Sequence, residues 1–283
     1  METIPGTLLN LATVLFAVGS TAGVGLRYTL REIIGPLRSS MLLGVLANFV
    51  LVPMLAYGVA HLLGLERDYQ LGLFLVASAA GAPLQLKLTQ IAGGSAPYSA
   101  GLLVLLLLVT IVYMPLVVPL EVAEADVSAA AIAKPLILSM LVPLGVGLLV
   151  RAGRPPWAAR FLPLVARVTN LALYALIALT LVLHLRSLLG LFGTGAILAS
   201  ALVIGGAFLI GYVLRGFRGE ERGEAALATA QRNYAAAIVV ATQSFDQSPN
   251  VLVMVVATSL VSMVLLFAAA HLLGRRAERP APW

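Results

Sequence analysis

Nine windows of about 20 predominantly apolar residues follow one another along this chain, each long enough to cross a ~30 Å hydrocarbon core as a helix. They cover residues 7–26, 39–63, 69–92, 97–120, 130–150, 161–185, 193–214, 223–245 and 249–273. In lipid every backbone N–H and C=O must be paired within the protein, so windows of this length read as helices. Hydrophobic residues fill 60% of the 283 positions and charged ones 11%, at a mean hydropathy of +1.01. A soluble core of that size could not hide so much apolar surface. The expected fold class is an all-α polytopic membrane protein of nine transmembrane helices, forming a single transmembrane unit over residues 1–283. Short connections such as GGSAP (93–97), GRPP (153–156) and FDQSPN (245–250) leave no room for a soluble domain. Residues 1–26 lack a cationic leader segment, so they read as the first span rather than a cleaved signal.

The bases set the orientation. Arg27, Arg31, Arg38, Arg151, Arg154, Arg160, Arg215, Arg218, Arg222, Arg275, Arg276 and Arg279 fall on one side of the alternating spans. Arg67, Lys134 and Arg186 fall on the other, beside Glu121, Glu124 and Asp126. The asymmetry predicts an external N-terminus and a cytoplasmic C-terminus in the plasma (inner) membrane. It also explains the net charge of +6 without nucleic acid as a partner.

Three bases, Lys87, Arg167 and Arg232, do not fit a loop. If the eighth span began after Arg232, the 13 residues from Asn233 to Phe245 would make a helix of only about 20 Å. The span must reach back to about Ala225, which puts Arg232 near mid-membrane. An arginine there costs at least ~2.5 kcal/mol and usually faces a cavity or pathway. Lys87 follows the helix-interrupting Gly81-Ala82-Pro83 and stands among Gln85, Thr89 and Gln90. Two readings stay open for it. Either the span ends near Leu86 with Lys87 snorkelling to the surface, or the helix is broken and its polar residues line a cavity. Arg167 lies six residues into its window from the basic side and reads as a snorkelling residue.

Several chemistries are excluded. The absence of cysteine removes disulfides and thiolate sites. His61, His184 and His271 fall near window ends without metal-ligand spacing, so no metal or cofactor is expected. No nucleophile–base set suggests an enzyme. All twelve carboxylates lie in loops or at window ends, so the buried charge is all positive.

The chain resembles the bile acid:sodium symporter family along nearly its whole length. The resemblance is carried by the opening stretch LFAVGSTAGVGLRYTLREIIGPLRSSMLLGVLANFVLVPMLAYGVAHLLGL, by GAPLQLKLTQIAGGSAPYSAG and by ALATAQRNYAAAIVVA. It implies two inverted repeats, the first lacking one helix, as in the nine-span animal members. It also implies two broken helices, spans 3 and 8, crossing near mid-membrane. A panel subdomain (1–68 and 130–190) would pack on a core subdomain (69–129 and 191–283). The family's sodium ligands mostly fail to carry over. Its Ser-Asn pair falls on Gln85-Leu86. Of two hydroxyls on the next span, Ser99 survives and the other is Leu103. The shared Glu falls on Ala228, and the Gln before the family's Asn is Arg232.

The expected function is secondary transport of a small organic anion by alternating access, independent of sodium. Lys87 and Arg232 serve as fixed cations at the crossing, with Gln85, Thr89, Gln90, Ser99, Gln231 and Asn233 around them. Crowded positive charge would make Lys87 the group that yields its proton, giving proton coupling, or anion exchange if it does not. The lipid bilayer, the anion and protons are the expected partners. Sodium-coupled symport is the alternative, because backbone carbonyls at the breaks could hold an ion. An anion channel or a receptor on a transporter scaffold is the second alternative.

Overall fold

The computed structural model describes residues 4–34, 40–94, 96–121, 128–215, 222–245 and 247–277. Among the charged residues discussed above, Glu2, Arg38, Glu124, Asp126, Arg218, Glu220, Glu221, Asp246, Glu278 and Arg279 lie outside the described residues. The described chain is helical: α1 (Ile4–Arg27), α2 (Leu30–Ile34), α3 (Ser40–Leu46), α4 (Val52–Leu62), α5 (Arg67–Ser78), α6 (Leu84–Ile91) and α7 (Ala96–Glu121). Then come α8 (Ala129–Leu136), α9 (Val142–Gly153), α10 (Pro155–Gly190), α11 (Ala196–Arg215), α12 (Arg222–Ala230), α13 (Tyr234–Ser244) and α14 (Pro249–Ala277).

A π-helical turn, Ala47–Leu51, makes one rod of α3 and α4, and another, Ile137–Leu141, does the same for α8 and α9. Both have a local cause. Pro53 and Pro143 follow directly as the second residues of α4 and α9. A proline lacks the N–H that would bond the carbonyl four residues back, and its ring crowds that carbonyl. Widening the preceding turn relieves the conflict without ending the helix.

Seven of the nine apolar windows are single rods long and apolar enough to cross a membrane. The longest helix, α10, has 36 residues, about 54 Å, and starts on Pro155-Pro156, where a missing N–H costs nothing. The other two windows are each a pair of short helices. Residues 79–83 separate α5 from α6, and Gln231–Asn233 separate α12 from α13.

The two interruptions lie side by side and antiparallel. Ala80 and Arg232 pair as an isolated β-bridge. The Asn233 N–H donates to the Ala79 carbonyl at 3.0 Å, and Asn233 Nδ2 donates to the Gly81 carbonyl at 3.1 Å. Backbone groups that a continuous helix would have paired internally are thus paired across the crossing.

Around this centre, α14 packs on α5 and α11, and the α3–α4 rod packs on α5 and α11. On the other flank α1 packs against α9 and α10. Small residues set that spacing. A Cβ on Gly25 would lie 2.3 Å from the Leu144 carbonyl oxygen, and one on Gly147 would lie 2.7 Å from that of Ala22. At one end of the molecule Arg67 Nη1 meets Glu121 Oε1 at 3.0 Å, joining the start of α5 to the end of α7.

Candidate functional site

A cavity of about 420 Å³ lies against the crossing. One wall is α1 and α10, through Ser20, Val24, Thr169 and Asn170. The other is formed by the two interruptions and the helices that follow them, with Val256, Ser259 and Met263 from α14. The first residues of α6 (Leu84) and of α13 (Tyr234, Ala235) border it. Two helix N-termini therefore adjoin the space, each carrying roughly +0.5 of an elementary charge. The charged residues along its lining are Arg27, Lys87 and Arg232, and no described aspartate or glutamate is among them. Away from the lining, Glu224 in the first turn of α12 is buried, so the expectation that all buried charge is positive does not hold.

Arg232 borders the cavity through the bridge, but its side chain is 0% exposed. The guanidinium has five N–H donors, and all five are used. Nε donates to the Val76 carbonyl at 3.2 Å. Nη1 donates to Asn48 Oδ1 at 2.5 Å and to the Thr229 carbonyl at 3.0 Å. Nη2 donates to the Asn48 carbonyl at 3.3 Å and to the Ala77 carbonyl. None of these partners is charged. Val76 and Ala77 belong to the last turn of α5, and Thr229 to that of α12, so two helix C-termini converge on the cation. Each contributes about −0.5 of an elementary charge, together close to one unit. That makes a buried arginine tolerable with no carboxylate beside it.

Lys87 behaves differently. The helix runs on past it to Ile91, so Lys87 sits in the middle of α6 rather than at a helix end. The Lys87 side chain is exposed on the cavity lining, with no carboxylate within 4.0 Å among the described residues. Gln231 and Asn233 also line the cavity. Gln231 Nε2 donates to the Arg232 carbonyl at 3.1 Å, while its buried Oε1 has no hydrogen-bond partner among the described residues. Asn233 caps α13, its Oδ1 accepting from the Ala236 N–H at 3.1 Å.

The remaining expected site residues lie elsewhere. Gln85, Thr89 and Ser99 form a buried knot between α6 and α7 rather than part of the cavity lining. Gln85 Nε2 donates to the Ser99 carbonyl and to Ser99 Oγ, both at 3.1 Å, and Thr89 Oγ1 lies 3.0 Å from Ser99 Oγ. These groups satisfy one another because they fall on the face of α6 that packs on α7. Lys87, two residues beyond Gln85, is rotated by about 200° to another face. Gln90 is exposed and does not line the cavity. Arg167 is exposed on α10, also off the cavity.

Asn48 was not singled out in the sequence, yet it contributes two of the five acceptors around Arg232. Its signal was a lone amide in the middle of an apolar window. Arg27 reads in the sequence only as a marker of topology, and Thr169 and Asn170 were not singled out.

The fold is that of a multi-pass helical membrane protein with a cavity beside its helix crossing. The family model described as "Sodium Bile acid symporter family" matches residues 10–191, more than half of the chain, and this protein belongs to that family of transporters. The matched residues include the first interruption and Lys87 but end before the second. No curated protein matches the chain.

Proposed function

We propose that this protein moves a small organic anion across the membrane by alternating access, without sodium, and that Lys87 is the residue that meets the anion's charge. The observation that carries this reading is the sign of the cavity. Its charged lining is wholly cationic, and two helix N-termini adjoin it. In discontinuous transporter helices such positive ends face anionic substrate groups. The volume, about 420 Å³, suits a compact organic molecule. Asn233, Gln231, Asn170 and Arg27 line the same cavity as Lys87. The nine-span reading fits here: α5–α6 and α12–α13 each serve as one broken span, with the crossing near mid-membrane.

In this account Arg232 supports the site rather than touching the substrate, because it has no free donor. The knot of Gln85, Thr89 and Ser99 holds α6 in place against α7. Coupling then runs through protons or through exchange of one anion for another, which separately imposed gradients distinguish.

Uptake of a panel of labelled carboxylates into proteoliposomes tests the reading. Some members should be accumulated, and Lys87→Gln should cut that uptake at least tenfold. Transport of neutral or cationic solutes in preference, or full activity in Lys87→Gln, would refute it.

A second reading is sodium-coupled symport, favoured by the family's own description. The helix-end carbonyls at the crossing are already taken by the Arg232 guanidinium, and no described carboxylate lines the cavity to receive a sodium ion, so the sodium-free reading is preferred.

A further inference from the structure

The oxygens around Arg232 have the makings of a cation site in their own right. Four are backbone carbonyls and one is the Asn48 amide oxygen, and Asn48 and Arg232 are both 0% exposed. They come from three separate places: the last turn of α5, the last turn of α12, and the π-helical turn of the α3–α4 rod. The first two are helix ends beside the antiparallel backbone bridge of Ala80 and Arg232, which does not need the Arg232 side chain, and Asn48 Nδ2 donates to the Gly44 carbonyl at 2.8 Å, orienting the amide. Converging neutral carbonyls are what replace the hydration shell of a desolvated monovalent cation.

We propose that these oxygens form a cation cage which the chain fills with its own guanidinium, and that removing the Arg232 side chain vacates it for a free guanidinium ion or a small monovalent metal ion. Arg232 is then a positioning residue. It joins α5, α12 and the α3–α4 rod into one unit on which the cavity wall rests. The inference shares the crossing with the transport reading but not its ligand, and it is read by ion binding rather than by uptake. Either can fail while the other stands.

The experiment uses purified full-length protein in detergent, with choline chloride as the background salt. Melting of wild type, Arg232→Ala, Arg232→Lys and Arg232→Met is followed with guanidinium, sodium or potassium chloride added at millimolar concentration. Arg232→Ala should melt well below wild type and recover about half of that loss, saturably, with one of the three cations. Wild type, whose cage is filled, should not respond. Arg232→Lys should melt well above Arg232→Met, since an ammonium satisfies some of the acceptors and a thioether satisfies none. That ranking keeps the test decisive if Arg232→Ala does not fold. A folded Arg232→Ala that ignores all three cations would overturn the proposal. So would an equal response from wild type, or an Arg232→Met as stable as Arg232→Lys. Preference for guanidinium over sodium would mean that the cage fits the planar donor, and the reverse that it fits a bare ion.

Discussion

The two helix interruptions solve one problem by opposite means. Residues 79–83 form a break made by backbone conformation. Gly81 has a φ of +77°, and a Cβ there would lie 2.3 Å from the Leu107 backbone nitrogen. The Ala80 N–H and C=O, freed by the break, are both taken by Thr110 Oγ1 of α7, at 2.8 and 3.0 Å. Residues 231–233 contain neither glycine nor proline. Here side chains make the break: Arg232 takes up the carbonyls at the ends of α5 and α12, and Asn233 caps α13. A conformational break can be read from residue type. A break held by side chains depends on where their partners sit in the rest of the fold.

If that contrast is right, the largest effect should come from removing the charge at the second break. Arg232→Met leaves several buried carbonyls without donors, each costing roughly 1–3 kcal/mol, so a loss of at least ~3 kcal/mol is expected. A thermal melt close to wild type would end the comparison. Next comes Gly81→Ala at the first break. The left-handed conformation alone costs a non-glycine residue about 1–3 kcal/mol, and the Cβ also collides with α7. A clear drop in melting temperature should follow, and an unchanged value would show that the turn can rearrange.

Asn233→Ala should be milder, about 1 kcal/mol for the lost cap, with a similar amount for the Gly81 carbonyl left unpaired. Gln85→Leu should be smallest. It removes two donor contacts but also an Oε1 that has no partner, so a change within about 1 kcal/mol in chemical denaturation is expected. A larger loss would mean that the α6–α7 knot, and not only Arg232, holds the first broken helix in place.

These differences also explain what could be read in advance. The apolar windows and the Gly81-Ala82-Pro83 interruption follow from composition and local stereochemistry; seven windows are single helices, and the interruption lies between α5 and α6. Arg232 stood out by helix-length arithmetic, and Lys87 by its polar neighbours. What Arg232 does with its five donors was not legible, because its partners lie 155 residues away at Ala77 and 184 away at Asn48. The π-helical turns were missed because a proline inside an apolar window is equally consistent with a kink. Gln85, Thr89 and Ser99 were grouped with the cavity because polarity shows that a group needs a partner, not which neighbour supplies it.

The central claim is that the crossing already holds its cation, so that an anion is carried without sodium. Its most direct test is initial uptake of a transported carboxylate into proteoliposomes, at fixed pH and fixed membrane potential, with inward sodium replaced by choline. The account predicts the same rate in both salts for wild type. A strong, saturable stimulation by sodium in the wild-type protein would contradict it.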